Sequence, residues 1–244
     1  LIFNYVPEAT TREAGLETGQ YDIIDNVPND DVERLTSNPD LHVNSYQAGT
    51  VALVFNHKQG IASNQYFRQA VNTCLDMDEI LTAVYGEGGY DLGSCYMDEA
   101  QAFWNTDAGS ENYNQKDPDK AKKILEENGY NGETFKILVS TTNNMNYMEV
   151  AMEQELEAVG IPTELTIVDW ATLTDYRKDP DKFDLYITSF AQVPVPSLKL
   201  YFGPTYPGWS DDATLAEKFA AMNTATSLDD AKSAWDDLQA YSWD

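Results

Sequence analysis

The sequence contains few of the residues that catalytic and metal sites require. It has two histidines, His42 and His57, and two cysteines, Cys74 and Cys95, in 244 residues. Neither histidine has a partner at metal-ligand spacing, so we expect His57 to be a turn residue, and the motifs H-E-x-x-H and G-x-S-x-G are missing. These absences predict a binding protein with no cofactor, no metal and no enzymatic activity. A hydrolase or transferase whose site the sequence does not reveal is the alternative.

The two cysteines leave the redox state open. A disulfide between Cys74 and Cys95 suits an extracytoplasmic protein, but the sequence does not give the separation of their Cα atoms. Cys74 also lies on the apolar face of an expected helix, where a free thiol packs as a small hydrophobic side chain. Both states therefore stay open at the level of sequence.

Long apolar runs are missing as well. No stretch approaches the roughly 20 apolar residues that cross a bilayer. The first residues have neither the basic segment of a signal peptide nor an initiator methionine, and Leu1 is expected to open a strand. We therefore expect the chain to be a processed or excised piece of a longer protein.

Basic residues are scarce. The chain has 15 Lys and Arg against 41 Asp and Glu, a net charge of −26 at pH 7. Such a charge repels nucleic acid and anionic membranes at long range. The acids are spread along the chain, which is typical of a solvated surface that resists aggregation. Adaptation to a salty or cation-rich medium is the alternative interpretation.

Adjacent acidic residues do not by themselves indicate general acid–base catalysis. With 41 acids in the chain, neighbouring pairs arise by chance. Asp30, Asp212 and Asp229 lie where expected helices begin, and negative charge stabilises the N-terminus of a helix. We interpret these acids as helix caps rather than as catalytic groups.

Hydrophobic periodicity alternates between strands and helices along the chain. The expected strands are 2–6, 21–27, 41–47, 50–56, 134–140, 163–168 and a last one that ends at Phe190. The expected helices are 10–18, 29–38, a pair within 66–84, 118–128, 145–159, 211–224 and 228–243. Strands that alternate with helices predict an α/β fold with a mixed β-sheet flanked by helices.

Two helix starts carry capping signals. Asp76, with Glu79 three residues later, predicts a capping box in which each residue binds the backbone of the other. Asp117 followed by Pro118 predicts a second helix start, and Gly129 predicts where that helix ends.

Residues 53–58 and 66–80 together match the pattern "fN.k … vRqAi..aiDr..i". Further segments follow the same order, namely 15–23, 113–130, 151–161 and 183–190. In these segments the chain resembles the extracellular solute-binding proteins of peptide-type ABC transporters, the family of oligopeptide-, dipeptide- and nickel-binding receptors. Each motif is loose, but their common order and spacing are specific. The resemblance covers nearly the whole chain and about half of a full receptor.

The resemblance implies a periplasmic-binding-protein-like (type II) lobe. Residues 1–48 would be a hinge-proximal piece of the first lobe, and residues 49–244 the second, ligand-binding lobe. The implied function is the substrate-binding component of an ABC importer, which captures a small solute, an oligopeptide or dipeptide above all, and delivers it to the permease subunits. A non-peptide ligand, such as an oligosaccharide or a nickel chelate, and a sensory or regulatory module are the alternatives.

The resemblance also implies a location and an assembly state. We expect an extracytoplasmic protein, periplasmic or a cell-surface lipoprotein, whose lipid anchor is absent from this chain. We expect it to be a monomer that contacts the permease and no nucleic acid.

The resemblance further implies a ligand site. In the peptide-binding branch, the segment after "fDl.l..w" contains an aromatic wall and, three residues on, an aspartate that pairs with the α-ammonium of the peptide. The corresponding residues here are Phe190, Ala191, Gln192 and Val193, and Asn56 of the "fN.k" motif is a further candidate. Phe190 could instead be a core aromatic residue, and Gln192 could bind a neutral polar group.

Val193 occupies the position of the aspartate and cannot neutralise a buried ammonium. Three interpretations remain: another acid holds the amine, the peptide is blocked at its N-terminus, or the ligand is not a peptide.

Overall fold

The computed structural model describes residues 1–46, 49–142 and 145–243. The chain forms two compact units, one of Leu1–Gln47 with Tyr85–Tyr90 and the other of Ala48–Val84 with Asp91–Asp244. None of the helices in the described ranges combines the length and the apolar character that crossing a bilayer requires.

The first unit contains two helices, α1 (Ala9–Glu17) and α2 (Asn29–Thr36). Helix α1 ends before Gly19 as predicted, and the φ of 73° at Gly19 belongs to the left-handed region that glycine enters without strain. Arg34 joins the two helices, because its guanidinium lies 2.6 Å from the carboxylate of Glu13.

Three strands predicted for this unit are wrong. Residues 2–6, 21–27 and 41–46 are not strands, and residue 47 lies outside the described residues. Several of their large apolar side chains are exposed, with Ile2 at 88% and Ile23 at 86%. The alternating pattern suits a strand, but a strand also needs a neighbour that pairs with its backbone N–H and C=O groups. The described residues of this unit provide no such neighbour.

The second unit is built on a four-stranded sheet in the order β1-β4-β2-β3. The strands are β1 (Gly49–Phe55), β2 (Phe135–Ser140), β3 (Thr163–Val168) and β4 (Leu185–Ala191). Strand β1 runs antiparallel to β4, whereas β2 is parallel to both β3 and β4. The predicted mixed sheet is therefore confirmed.

Helices cover both faces of the sheet. Helices α3 (Gln65–Cys74), α4 (Met77–Tyr85), α5 (Pro118–Glu127) and α6 (Asn146–Ala158) pack on one face, where Ile137 and Ile187 are buried. Helix α7 (Trp170–Tyr176) packs on the other, where Leu138 and Tyr186 are buried. The side chains of a strand alternate between its two faces, so neighbouring residues enter different cores.

A smaller helical core follows the sheet. Helices α8 (Ala213–Thr224) and α9 (Leu228–Ser242) enclose Trp235, which is fully buried together with Met97 and Leu238. The indole Nε1–H of Trp235 donates to the carbonyl of Trp104 at 2.8 Å, so the polar group of the ring is satisfied. Trp235 is therefore a packing residue of this core.

The predicted caps are confirmed, with one correction. Asp117 accepts a hydrogen bond from the N–H of Lys120, and Asp76 accepts one from the N–H of Glu79. The return bond of the capping box is not made by Glu79. The N–H of Asp76 donates instead to Glu155 on α6 at 2.6 Å. A tertiary contact thus replaces the local one, because α6 packs close to the start of α4.

The acids assigned to helix N-termini are also where the sequence predicted. Asp212 caps α8 by accepting a hydrogen bond from the N–H of Leu215 at 2.8 Å. Asp30 and Asp229 lie in the first turns of α2 and α9. Cys74 and Cys95 are free thiols, and burial raises the pKa of Cys74 to about 12.

Candidate ligand-binding site

The candidate site lies at the carboxyl ends of the parallel strands. After β2 the chain forms β3 on one side of β2, and it then forms β4 on the other side of β2. The connecting helices α6 and α7 lie on opposite faces of the sheet. The crevice at the carboxyl ends of β2 and β4 is therefore a topological switch point, the place where open α/β sheets bind ligands. Phe190 and Ala191 end β4 at this edge.

Phe190 belongs to an aromatic cluster formed with Tyr201 and Tyr206. Its ring centroid lies 4.4 Å from that of Tyr201 and 5.9 Å from that of Tyr206. Phe190 is half-buried rather than fully buried. The cluster is thus an aromatic wall with accessible surface at the end of β4. Sequence reasoning selected Phe190 but missed both tyrosines, although the aromatic run that begins at Tyr201 was a visible signal.

The three residues after Phe190 continue from this wall. Ala191 is exposed, and Gln192 and Val193 are half-buried. Val193 packs against the smaller helical core, beside residues such as Phe202. The position that the resemblance assigns to an aspartate is therefore in apolar surroundings, which suit valine and would make an ionised carboxylate costly.

Asn56 lies at the other end of the sheet. Phe55 pairs with Leu185 at the start of β4, six residues before Ala191, which is roughly 20 Å away along a strand. Asn56 is fully buried, and its side chain donates to the carbonyls of Pro180 and Phe183 and accepts from the N–H of Lys58. The structure does not bring Asn56 to the other candidates, and its hydrogen bonds hold the bend after β1.

The same end of the sheet has a tight backbone approach at Gly60. An added Cβ there would lie 2.0 Å from Oδ1 of Asp184, and the φ of Gly60 is 74°. Asp184 is 5% exposed and accepts the N–H of Lys136 at 3.0 Å. An open cleft of about 480 Å³ lies beside these residues, lined also by Asn64 and Asp181. The carboxylate of Asp184 thus ties the start of β4 to its neighbours.

Two buried hydroxyl groups lie near the candidate site. Thr188 on β4 is 1% exposed, and its Oγ1 has no hydrogen-bond partner among the described residues. It shares a strand face with Tyr186 and Phe190, since it is two residues from each. Ser140 ends β2 and is fully buried, but its hydroxyl accepts the N–H of Thr142 at 3.1 Å. Thr188 is therefore the one of the two with unused hydrogen-bonding capacity.

Two cations contact the tyrosines of the aromatic cluster. The Arg177 guanidinium lies 5.7 Å from the ring centroid of Tyr206 and donates to its hydroxyl at 3.3 Å. The Lys199 ammonium lies 5.9 Å from the ring centroid of Tyr201. Both distances are within the range of cation–π attraction. The sequence analysis singled out neither residue, since nothing in their local sequence distinguishes them from the other lysines and arginines.

His57 lies in the bend after β1, as predicted for a turn residue. Its N–H donates to the carbonyl of Gly208 at 2.9 Å. Burial, with the nearby positive charge of Arg68, lowers the pKa of His57 to about 4. In the part of the chain that the structure describes, no group of three or more His, Cys, Asp or Glu side chains is placed to hold a metal ion.

Known proteins resemble this chain in sequence. The family model "Bacterial extracellular solute-binding proteins, family 5 Middle" matches residues 1–211. A probable peptide ABC transporter periplasmic-binding protein of Sinorhizobium fredii is 27% identical, over 96% of this chain and 47% of that protein. The oligopeptide-binding protein AppA of Bacillus subtilis is 25% identical, over 78% of this chain and 38% of that protein. The chain thus spans less than half the length of these relatives.

A solved structure shows the same fold. The dipeptide-binding protein of Pseudoalteromonas sp. SM9913 in complex with Met-Leu superposes with a TM-score of 0.80 at 22% identity, over 98% of this chain and 49% of that one. The fold is therefore a lobe of the periplasmic-binding-protein (type II) class, as predicted. Because the family model covers most of the chain, this chain belongs to family 5 of the bacterial extracellular solute-binding proteins.

Proposed function

We propose that this chain is part of the substrate-binding component of an ABC importer, which captures an oligopeptide or dipeptide between two lobes and delivers it to permease subunits. The aromatic cluster at the end of β4 is the observation that carries the proposal. It presents a half-buried ring, Phe190, at the switch point of the sheet, followed by Ala191, Gln192 and Val193. The names of the Sinorhizobium and Bacillus relatives support a peptide ligand.

The proposed division of the chain has two parts. Residues 1–48 are a hinge-proximal piece of the first lobe, and residues 49–244 are the second, ligand-binding lobe. The boundary between the two compact units near residue 48 supports this division. The exposed apolar side chains of residues 2–6 support a pairing partner elsewhere in the full receptor.

The proposal includes a location and a way of working. The receptor is extracytoplasmic, as the name of the Sinorhizobium relative supports, and acts as a monomer without enzymatic activity. Affinity depends on closure of the two lobes, because one lobe alone offers half of the contacts and leaves the ligand in water.

Val193 favours a second candidate within the same class of function. An apolar residue that packs against a hydrophobic core cannot neutralise an α-ammonium. The ligand of this second candidate is a peptide blocked at its N-terminus or a molecule without an amine.

A thermal-shift screen of the two-lobed receptor tests the function. The panel contains free peptides of two to five residues, their N-acetylated forms, oligosaccharides and nickel. A ligand at 100 times its Kd adds about 2.7 kcal/mol to the free energy of unfolding, which such a screen detects. We expect stabilisation by peptides, in free or acetylated form. Stabilisation by sugars or nickel alone would overturn the peptide assignment.

Two variants test whether the ligand binds at the aromatic cluster. Phe190→Leu keeps much of the apolar volume and removes the ring, and we expect it to reduce the peptide-induced shift by more than half. Phe103→Ala is the control, because Phe103 is an aromatic residue with 47% exposure outside the cluster. Equal shifts in the wild type and Phe190→Leu would show that the ligand binds elsewhere.

A further inference from the structure

Lys199 is a buried cation beside the aromatic cluster. It is only 4% exposed. Across the described ranges, the structure gives its ammonium neither a hydrogen bond nor an ion pair within 4.0 Å, only the contact with the ring of Tyr201. The charged residues whose fields reach it are Asp98 and, when ionised, Cys95. An ammonium that is largely removed from water is stabilised by an anionic partner.

The acid whose field reaches Lys199 is already used in the fold. The carboxylate of Asp98 accepts the N–H of Ala100 at 2.8 Å and caps the short helical turn Glu99–Gln101. Burial lowers the pKa of Lys199, which is the direction expected for an ammonium that its surroundings do not fully compensate. The chain has 41 acids, yet it places none within ion-pair distance of this cation in the described residues.

The position of Lys199 connects it to the candidate site. Lys199 contacts Tyr201, and the ring of Tyr201 lies 4.4 Å from that of Phe190. A second cation, Arg177, contacts Tyr206, whose ring lies 5.9 Å from that of Phe190. Val193, between Phe190 and Lys199 in sequence, contributes no negative charge. In the described part of the chain, the two side chains charged at neutral pH that contact the rings of this cluster are therefore both cations, in a protein of net charge −26.

We propose that Lys199 is a specificity-determining residue that binds a carboxylate of the ligand. The ligand then presents a negatively charged group, and not an α-ammonium, to the aromatic cluster of this lobe. For a peptide this group is the C-terminal carboxylate or an acidic side chain. The inference rests on the proposed binding site at the end of β4. The resemblance implies an acidic protein group, at the position of Val193, that pairs with a positive ligand group. Here the protein group is positive and the ligand group is negative.

Substitution of Lys199 by methionine tests the role of its charge. Lys199→Met keeps an unbranched apolar stem and removes the ammonium, and Lys199→Arg keeps the charge. Lys123→Met is the control, because Lys123 is 72% exposed on α5 and its contact is a surface ion pair with Glu127. Circular dichroism and thermal unfolding without ligand verify that each variant is folded.

The probes are alanine peptides of two to five residues, each prepared free, N-acetylated and C-amidated, together with succinate as a dicarboxylate that is not a peptide. Calorimetric titration of the two-lobed receptor gives the affinities. We expect C-amidation to weaken binding about tenfold or more and N-acetylation to change it little, since a charge-assisted hydrogen bond is lost only in the first case. In Lys199→Met, free and amidated peptides should bind equally, and Lys199→Arg should restore the difference.

The outcomes separate this inference from the proposed function. Peptide binding that ignores C-amidation and the Lys199 variants overturns the inference and leaves the peptide function intact. Binding of succinate alone, lost in Lys199→Met and kept in Lys123→Met, overturns the peptide function and supports the role of Lys199. If no probe binds, both the role of Lys199 and the peptide function are overturned.

Discussion

At the scale of single residues, the hydroxyl of Thr188 is the unusual feature of the sheet. It is buried on the strand face that leads to Phe190, and no described residue accepts or donates a hydrogen bond to it. A buried polar group without a partner destabilises the fold, so a group of this kind near a binding site is a candidate for contact with ligand. Ser140, the buried hydroxyl that ends the adjacent parallel strand, is satisfied within the protein.

The substitution Thr188→Val removes the hydroxyl and keeps the shape of the side chain. We expect the free energy of unfolding of the unliganded protein to stay equal or to rise by up to about 1 kcal/mol, because an unsatisfied group is lost and valine suits a strand. Urea unfolding measures the change. Binding affinity of the receptor should fall if the ligand uses the hydroxyl.

Ser140→Ala is the matched control. It leaves the N–H of Thr142 without its acceptor, so we expect a loss of about 1 kcal/mol. A loss of that size in Thr188→Val would mean that the threonine hydroxyl is also satisfied within the protein.

At the scale of secondary-structure elements, helix α6 carries two carboxyl groups in protected surroundings. Burial, aided by the charge of Glu153, raises the pKa of Glu149 to about 7. Burial also raises the pKa of Glu155 to about 7, although its carboxylate accepts the N–H of Asp76. Both carboxyls therefore hold a proton more tightly in the folded helix than in the unfolded chain.

The pH dependence of stability is the balance of three groups. Glu149 and Glu155 bind more protons in the folded state, whereas His57, whose pKa is about 4 against an ordinary 6.5, binds fewer. The two carboxyls outweigh the one imidazole. A folded state that binds more protons than the unfolded state loses stability as pH rises. We expect the free energy of unfolding to fall between the ordinary glutamate pKa of 4.5 and the folded value of about 7, and to change less above it. Urea unfolding at half-unit steps from pH 4.5 to pH 8 measures this slope, and Glu149→Gln should reduce it.

Glu157→Gln, at an exposed position of the same helix, should leave the slope unchanged. A slope that is equally steep in Glu149→Gln and in the wild type would mean that Glu149 is an ordinary carboxylate in the folded protein.

At the scale of the whole molecule, net charge is the feature that bears most on stability. With −26 charges at pH 7, self-repulsion disfavours the compact state, and the ion pairs of the described residues are mostly at the surface. Salt screens this repulsion. The two interpretations of the acidic composition, a solvated surface and adaptation to a salty medium, therefore differ in how strongly stability depends on salt.

Raising the salt concentration should stabilise the protein. From about 0.01 M to about 0.1 M NaCl, the Debye length falls from about 30 Å to about 10 Å, which removes most long-range repulsion. We expect the melting temperature to rise by several degrees over this range, as measured by scanning calorimetry, and KCl to act like NaCl. A melting temperature that falls with salt would show that attractive surface pairs outweigh self-repulsion. A further large rise above about 1 M would favour a salty medium.

The sequence by itself determined the local elements of this protein. Helix α5 begins and ends near the residues that capping rules select, α8 begins at such a residue, and α1 ends at one, because caps act within one or two turns. The strands of the second unit follow from their apolar runs, and their alternation with helices is enough to predict a mixed sheet. The family motifs were equally visible, since they are contiguous in the chain.

Only the tertiary structure decided which residues meet. The segments 2–6 and 21–27 have strand patterns but no partner among the described residues, and pairing is a non-local event. Asn56 directly follows β1, Phe190 lies on its antiparallel neighbour β4, and the register of the two strands places these residues at opposite ends of the sheet. Tyr206 and Lys199 reach the site through the path of the chain after β4. No local pattern records such contacts, because side chains distant in sequence become neighbours only when the chain packs.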